Sequence, residues 1–276
     1  MLSKSGNFLS PCRMLGAALL AMGLSNGAAA ADGHEWHYGP SGDDASWGGV
    51  CAAGTEQSPI AIDNWSKSGQ VRPISFNYKA GNAGIANNGH TIVVSPEAAN
   101  TIEVGGETYR LAQFHFHTHG EHVSEGKRYP MEVHLVHVDD AGNPKVVVGV
   151  LIADDMEEGS ATGNGSDLAA HNLLSKLQLP AKKGESVASD VKLNIMDLLP
   201  VNNGEHRFER VEFNGSLTTP TPTCSEGLTW IVMREQLHTT PQVITKFHDI
   251  MGDNYRRTQP LNGREIHCCG ESDTIN

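Results

Sequence analysis

Alternating apolar and polar positions dominate this chain and predict strands far more often than helices. In short runs every second residue is apolar, and turn-forming residues separate the runs, among them 30 glycines and 13 prolines. The pattern predicts strands over 91–95, 108–118, 132–138, 146–152, 208–213 and 228–233. Many strands and few helices favour a single, mainly antiparallel β domain.

Two segments have the spacing of helices. Ser166 and Asp167 are placed to cap a helix over 168–177, and Thr240-Pro241 can open a second helix that continues to Ile250. The glycine-rich segment 159–165 is predicted to be an exposed loop. No internal repeat or linker divides the chain.

The first 31 residues have the pattern of a secretory signal peptide. Lys4 and Arg13 precede an apolar stretch, and small residues ending near Ala31 form a cleavage site of the A-x-A type. The alternative, a membrane anchor, is disfavoured because Gly16 and Gly23 interrupt a stretch that is already short. We therefore expect a signal peptide over 1–31, export to the periplasm or outside the cell, and one domain over 32–276 that has no membrane segment.

The net charge of the chain limits which kinds of molecule it is expected to bind. The formal net charge of the 276-residue chain is −12, and loss of the signal's two positive residues would make it −14. An acidic surface argues against nucleic acid or an anionic membrane as the partner. It does not exclude a small anionic substrate, because a bound metal ion can dominate the local field.

Four cysteines remain after the predicted cleavage. A disulfide is expected in an exported protein, and Cys51–Cys224 is the favoured pair because the adjacent Cys268 and Cys269 should pair poorly with each other. The tail cysteines leave a disulfide-linked homodimer open.

The chemistry-bearing feature is the run Gln113-Phe114-His115-Phe116-His117, followed downstream by Glu132-Val133-His134. Side chains at i and i+2 of a strand point to the same face, about 7 Å apart along the strand, so two such imidazoles can share a metal ion. A third imidazole from a neighbouring strand would complete a three-ligand zinc site with an open fourth position.

Spacing alone does not select the ligands. His119 shares the strand face of His115 and His117, and His137 competes with His134 in the same way. Gln113 and Glu132 each lie two residues before a histidine, where they can hold its second ring nitrogen, as metal-bound histidines usually require. The helical H-E-x-x-H motif is absent, and only half of a cupin metal motif is present.

A longer set of motifs resembles the α-class carbonic anhydrases, in order and over 36–264. The motifs are Trp36-His37-Tyr38-Gly39, Gln57-Ser58-Pro59-Ile60, Asn87-Asn88-Gly89-His90, the histidine run, Gly120-Glu121-His122, Glu132 to His137, Gly215 to Pro220, Thr229 to Val232 and Gln259-Pro260-Leu261. The resemblance implies a large, mostly antiparallel twisted β-sheet with a few short helices.

The resemblance also implies roles for individual residues. His115, His117 and His134 would bind Zn²⁺, and His119 and His137 would be bystanders. Gln113 and Glu132 would accept hydrogen bonds from the second ring nitrogens of His115 and His134. Thr218 would accept a hydrogen bond from zinc-bound hydroxide, and its own hydroxyl would donate a hydrogen bond to Glu121.

His90 would act as the proton shuttle, since imidazole titrates near neutral pH. Tyr38 and Asn88 would order the water chain that leads to it. The substrate pocket would be formed by Val136, Val147, Leu217, Thr219 and Trp230.

The implied activity is the reversible hydration of carbon dioxide to bicarbonate and a proton. The alternative is a catalytically silent relative that acts as a binding module, and the complete ligand set argues against it. Three departures from the family pattern stand out: Val93, where many relatives have a polar residue; Thr118, where animal members have tryptophan; and a longer segment at 220–224.

Overall fold

The computed structural model describes residues 36–39, 46–63, 70–157, 165–200, 209–220, 223–269 and 274–275. Its strands are β1 (Ala61–Ile62), β2 (Ile74–Asn77), β3 (Ala83–Asn87), β4 (Ile92–Pro96), β5 (Thr101–Val104), β6 (Glu107–His117), β7 (Val123–Ser124), β8 (Lys127–Arg128), β9 (Met131–Val138), β10 (Pro144–Ala153), β11 (Ser186–Ala188), β12 (Arg210–Ser216), β13 (Glu226–Met233), β14 (Leu237–His238), β15 (His267–Cys268) and β16 (Thr274–Ile275). The helices are α1 (Gly49–Ala53), α2 (Gly165–Lys176) and α3 (Pro241–Met251), with a 3-10 turn at Ile195–Leu198.

Within these described residues one sheet contains 13 strands, and its central path runs β11-β3-β4-β6-β9-β10-β13-β12-β15. Most neighbours are antiparallel, whereas β10 pairs in parallel with β13 and β14, and β2 with β16. A small sheet of β1, β7 and β8 lies apart from it. The prediction of a large, mostly antiparallel sheet with few helices is confirmed.

The predicted strands and helices are present with small shifts at their ends. Residue 208, positions 159–164 of the loop predicted over 159–165, and the predicted signal peptide lie outside the described residues, whereas Gly165 belongs to a helix and not to the predicted loop. The first of the two predicted helices, α2, begins at Gly165, so Ser166 and Asp167 occupy its first turn instead of preceding it. Thr240 caps α3 as expected, because its hydroxyl accepts a hydrogen bond from the Val243 amide.

Strand alternation separates two apolar clusters on opposite faces of the sheet. On β6, Phe114 and Phe116 belong to the larger cluster, where Phe116 contacts Phe247 of α3 with ring centroids 4.8 Å apart. Side chains at i and i+2 share a face, so His115 and His117 point to the other side. That side carries the second cluster, which includes Val136, Val147 and Trp230.

The cysteines form two disulfides among the described residues. The predicted Cys51–Cys224 bond is confirmed, with Cα atoms 5.1 Å apart across 173 positions of sequence. The expectation that Cys268 and Cys269 pair poorly is wrong, because they are bonded to each other. Cys269 follows the end of β15 and has a φ of 65°. The chain turns there, so the side chain of Cys269 can approach that of Cys268.

None of the helices in the described part of the chain has the length and apolarity that a bilayer crossing requires.

Candidate metal centre

Three imidazoles converge where β6 and β9 run side by side. His115 and His134 are directly paired in the antiparallel register, and His117 follows two positions along β6. One nitrogen from each ring lies within 4.8 Å of the others. Ring centroids are 4.5–5.3 Å apart, His117 and His134 are buried, and His115 is half-buried.

The structure separates these three from the other two candidates. His119 lies past the end of β6 with 47% of its side chain exposed. His137 is buried in the core, where its Nε2 is 2.7 Å from the Tyr78 hydroxyl, and burial lowers its pKa to about 3. Neither of them reaches the triad.

Two of the three rings are held by the side chains that the spacing indicated. The Nδ1 of His115 is 2.9 Å from the Oε1 of Gln113, and the Nε2 of His134 is 2.9 Å from the Oε1 of Glu132. An acceptor at one nitrogen fixes the proton there and leaves the other nitrogen's lone pair free. His115 therefore offers Nε2 and His134 offers Nδ1.

The third ring is held by a residue that the sequence analysis missed. The Nδ1 of His117 donates to the backbone carbonyl of Asn254 at 2.7 Å. The Asn254 side chain also accepts from the Thr118 amide and donates to the carbonyls of Phe116 and His90. The remaining nitrogen, Nε2 of His117, is buried and has no hydrogen-bond partner among the described residues.

All three rings are poor bases in this setting. Burial lowers the pKa of each, to about 4 for His117 and well below the ordinary value for His115, where the neighbouring imidazoles add to the effect. A lowered pKa keeps imidazole neutral near pH 7, and the neutral ring is the form that binds metals.

Glu132 is the centre of a buried hydrogen-bond network. Its Oε1 accepts from the rings of His122 and His134, and its Oε2 accepts from the backbone amides of Glu121 and His122 at 2.7 and 2.8 Å. Burial favours the neutral carboxyl, but these two histidines outweigh it and hold the pKa of Glu132 well below its usual range. His122, Glu132 and His134 are thus close enough to hold a metal, but they are already linked by hydrogen bonds.

Glu121 is fully buried beside the triad. Its Oε1 accepts from the Arg256 amide at 2.7 Å, while its Oε2 has no hydrogen-bond partner among the described residues. Burial raises the pKa of Glu121 to about 7, against opposing effects from His134, the nearby Thr218 hydroxyl and the Arg256 amide. The carboxylate is therefore positioned to accept a hydrogen bond from Thr218.

The Cys51–Cys224 disulfide anchors the segment that carries Thr218. The Cys224 amide donates to the carbonyl of Thr219 at 2.8 Å, and the buried Arg256 guanidinium donates to the carbonyl of Cys51 at 2.7 Å. Since the Arg256 amide also holds Glu121, one residue links the disulfide to the carboxylate. Residues 221 and 222 of the longer segment lie outside the described residues.

The predicted apolar wall lies on the same side of the sheet as the triad. Val136 pairs with Val147, and Val147 pairs with Trp230, across β9, β10 and β13. All three are buried in one cluster, and Leu217 packs against it. The half-buried Thr219 lies next to Thr218 in the chain.

The predicted shuttle residue lies in a tight turn at the surface. Gly89 has a φ of 91°, a conformation that favours glycine, and the Asn88 side chain accepts from the amides of His90 and Thr91. The half-buried His90 stacks on Trp36 with ring centroids 3.9 Å apart and planes 9° apart. Burial and the Glu121 carboxylate raise the pKa of Tyr38 well above its ordinary value.

Comparison with known proteins agrees with this arrangement. A profile of the eukaryotic-type carbonic anhydrase family matches residues 42–269. The chain is 36% identical over 263 residues to a carbonic anhydrase of Neisseria gonorrhoeae, covering 90% of this chain and 94% of that protein. It is 35% identical over 246 residues to one of Pectobacterium atrosepticum, covering 87% and 93%. The solved α-carbonic anhydrase of Photobacterium profundum has a TM-score of 0.69 and 37% identity, and the match covers 84% of this chain and 100% of that one.

The chain therefore belongs to the eukaryotic-type, or α-class, carbonic anhydrases. It is an enzyme whose activity is the hydration of carbon dioxide, with carbon dioxide and bicarbonate as small-molecule substrates. Asn254, Arg256 and His122 were not assigned by sequence reasoning. Asn254 and Arg256 lie in a stretch without periodicity, so only their distant contacts reveal their roles.

Proposed function

We propose that the enzyme is zinc-dependent and that His115, His117 and His134 hold the ion. The observation that carries the proposal is the buried Nε2 of His117, which has no hydrogen-bond partner among the described residues, in a triad whose ligand nitrogens lie within 4.8 Å of one another. A lone buried nitrogen is costly unless it has a partner, and three neutral imidazoles form a ligand set that suits Zn²⁺. Three protein ligands also leave a coordination position open for catalysis.

When bound, Zn²⁺ supplies a Lewis acid that lets water ionise near neutral pH, an effect for which carbonic anhydrase is the reference case. The surrounding residues direct the chemistry. If the Thr218 hydroxyl donates its one hydrogen bond to Glu121, the Thr218 oxygen can only accept a hydrogen bond from the attacking oxygen. That arrangement aims a lone pair of the nucleophile at carbon dioxide. A cation at the triad would also favour the ionised carboxylate that Glu121 needs for this role.

The second half of the reaction is removal of a proton, which we assign to His90. Its half-buried position in the surface turn Asn88–His90 leaves it in reach of buffer, and an imidazole there can exchange protons near neutral pH. Tyr38 and Asn88 would order the intervening water, and the stacked Trp36 would hold the ring at the surface. Carbon dioxide, which needs no hydrogen bonds, would rest against Val136, Val147, Leu217, Thr219 and Trp230.

We further propose a periplasmic or secreted location, supported by the Cys51–Cys224 disulfide and the signal-like first 31 residues. Fractionation of cells that express the full chain tests this. Recovery of the intact chain, with its first 31 residues, in the cytoplasm would rule it out.

Metal analysis of purified protein tests the zinc assignment. We expect one zinc per chain to survive gel filtration in the wild type and in the His238→Ala control, and to be lost in His117→Ala. Equal retention of zinc in His117→Ala would contradict the assignment.

Carbon dioxide hydration in weak buffer tests the shuttle. The rate should fall in His90→Ala and recover when imidazole is added, since imidazole can carry the proton instead. A variant that is as fast as wild type, or one that imidazole does not rescue, would exclude His90.

A further inference from the structure

We propose that His119, His248 and Asp253 form a second, exposed binding site for a borderline divalent cation such as Zn²⁺, Ni²⁺ or Cu²⁺. All three side chains are outside the triad and about half exposed, at 47%, 48% and 46%. Two imidazoles and a carboxylate form a donor set typical of zinc sites. Their exposure makes them accessible to a cation from solution.

The distances around Asp253 fit ligands of one ion. The Oδ1 of Asp253 is 3.1 Å from the Nε2 of His248 and 3.7 Å from the Nδ1 of His119. Ligand bonds of about 2.1 Å at tetrahedral angles separate two donor atoms by roughly 3.4 Å, between the two observed values. The longer distance is beyond a hydrogen bond, so a proton shared with Asp253 does not account for the position of His119.

The two rings would have to rotate toward each other to meet at one ion, because the donor atoms of His119, His248 and Asp253 do not all lie within 4.8 Å of one another. Their centroids are 6.4 Å apart, compared with 4.5–5.3 Å in the triad. Half-exposed side chains can rotate to close this gap. The nearby Arg128 guanidinium is directed elsewhere, because it donates to the carbonyls of Gly120 and Glu121 and lies over the Tyr255 ring.

The chain contains a useful contrast in another exposed histidine–carboxylate pair. His238 and Asp155 make a short contact of 2.6 Å between Nδ1 and Oδ1. Among the residues that the structure describes, no second imidazole lies against the same carboxylate oxygen. A bidentate set of this kind binds metal more weakly than three donors, so His238→Ala serves as the matched control.

The proposed site lies where separate parts of the fold meet, so a bound cation would affect the structure. His119 follows β6, His248 is in the last turn of α3, and Asp253 immediately precedes Asn254, whose carbonyl holds His117. A cation at this cluster would therefore cross-link the end of β6 to the loop after α3. A cation that binds the folded state and not the unfolded chain raises the unfolding temperature.

Calorimetric titration of the holoenzyme, already loaded with one zinc, with further Zn²⁺ tests the proposal. We expect a second equivalent that binds with micromolar affinity. His248→Ala and Asp253→Asn should each weaken this step by at least about tenfold, because loss of even a partner behind a ligand costs that much. His238→Ala should leave it unchanged.

A thermal-unfolding series on the same proteins provides an independent readout. Excess Zn²⁺ should raise the unfolding temperature of wild type and His238→Ala but not of the two site variants, which should retain their first zinc and their hydration activity. The proposal is overturned if no second equivalent binds, or if it binds equally well to His248→Ala and Asp253→Asn.

Discussion

Among single residues, the hydrogen bond at one nitrogen of each imidazole decides which nitrogen the ring can offer to the proposed metal ion. Gln113 and Glu132 hold His115 and His134, and the Asn254 carbonyl holds His117. The proton of each ring is therefore fixed before any ion binds. Such preorganisation lowers the cost of metal binding, because the ligands do not need to be ordered at that moment.

The Glu121→Gln variant tests the direction of the hydrogen bond from Thr218. Glutamine keeps an oxygen for the Arg256 amide but turns an amide donor toward the Thr218 hydroxyl, which must then accept. We expect the kcat/KM for carbon dioxide to fall about 10²-fold with zinc content unchanged. Thr218→Ser, which retains the hydroxyl, should remain much closer to wild type. Wild-type activity in Glu121→Gln would refute this role.

His137 should make the stability of the metal-free protein depend on pH. Its pKa is about 3 in the folded state because of burial, against about 6.5 unfolded, so below pH 6.5 the unfolded chain binds a proton that the folded one does not. Above pH 6.5 His137 therefore does not reduce the free energy of unfolding. Below pH 6.5 this free energy declines by about 1.4 kcal/mol per pH unit as the pH falls toward 3.

Urea unfolding at pH 7 and pH 5 measures this effect. The stability advantage of wild type over His137→Gln, which lacks the titrating group, should shrink by about 2 kcal/mol between the two pH values. An advantage that stays constant would show that His137 does not carry the effect.

Among the elements, the register of β6, β9 and β10 determines the site. His115 pairs with His134, and His134 pairs with Gly149 on β10. The alternation that buries Phe114 and Phe116 on one face directs the ligands to the other. A slip of one residue would exchange the two faces, so the same apolar packing that stabilises the sheet also specifies the proposed metal site.

Gly149 is predicted to be indispensable to this packing. A Cβ at this position would lie 2.9 Å from the Oε1 of Glu132, the atom that holds His134. Displacement of that carboxylate in Gly149→Ala should reduce zinc affinity about 10–100-fold. Competition with a chelator measures the affinity. Gly84→Ala, where no atom lies within 4 Å of the added Cβ, is the control; an equal affinity in both variants would disprove the argument.

Long strands and both longer helices could be predicted from the sequence, because their periodicity extends over many residues. Two-residue strands such as β1 and β15 have no period to detect, and tertiary pairing alone creates them. The bond between Cys268 and Cys269 was missed for a related reason, since a turn at Cys269 is needed to bring adjacent side chains together.

Across the whole molecule, the candidate site depends on contacts between distant parts of the chain. Arg256 reaches Glu121 and Cys51, which are 135 and 205 positions away, and Asn254 reaches His117 across 137 positions. The local motif at 113–117 could be predicted from spacing, and the family resemblance added His134, Thr218 and Glu121. The supporting roles of Asn254 and Arg256 could not, because no local pattern encodes a contact of that range.

Stopped-flow measurement of carbon dioxide hydration on the purified protein is the decisive experiment. The zinc-loaded enzyme should hydrate carbon dioxide far faster than buffer, lose this activity when a chelator removes the metal, and regain it when Zn²⁺ is returned. His117→Ala should stay inactive under the same treatment. A protein that carries one zinc per chain and yet hydrates carbon dioxide no faster than buffer would contradict the proposed catalytic centre.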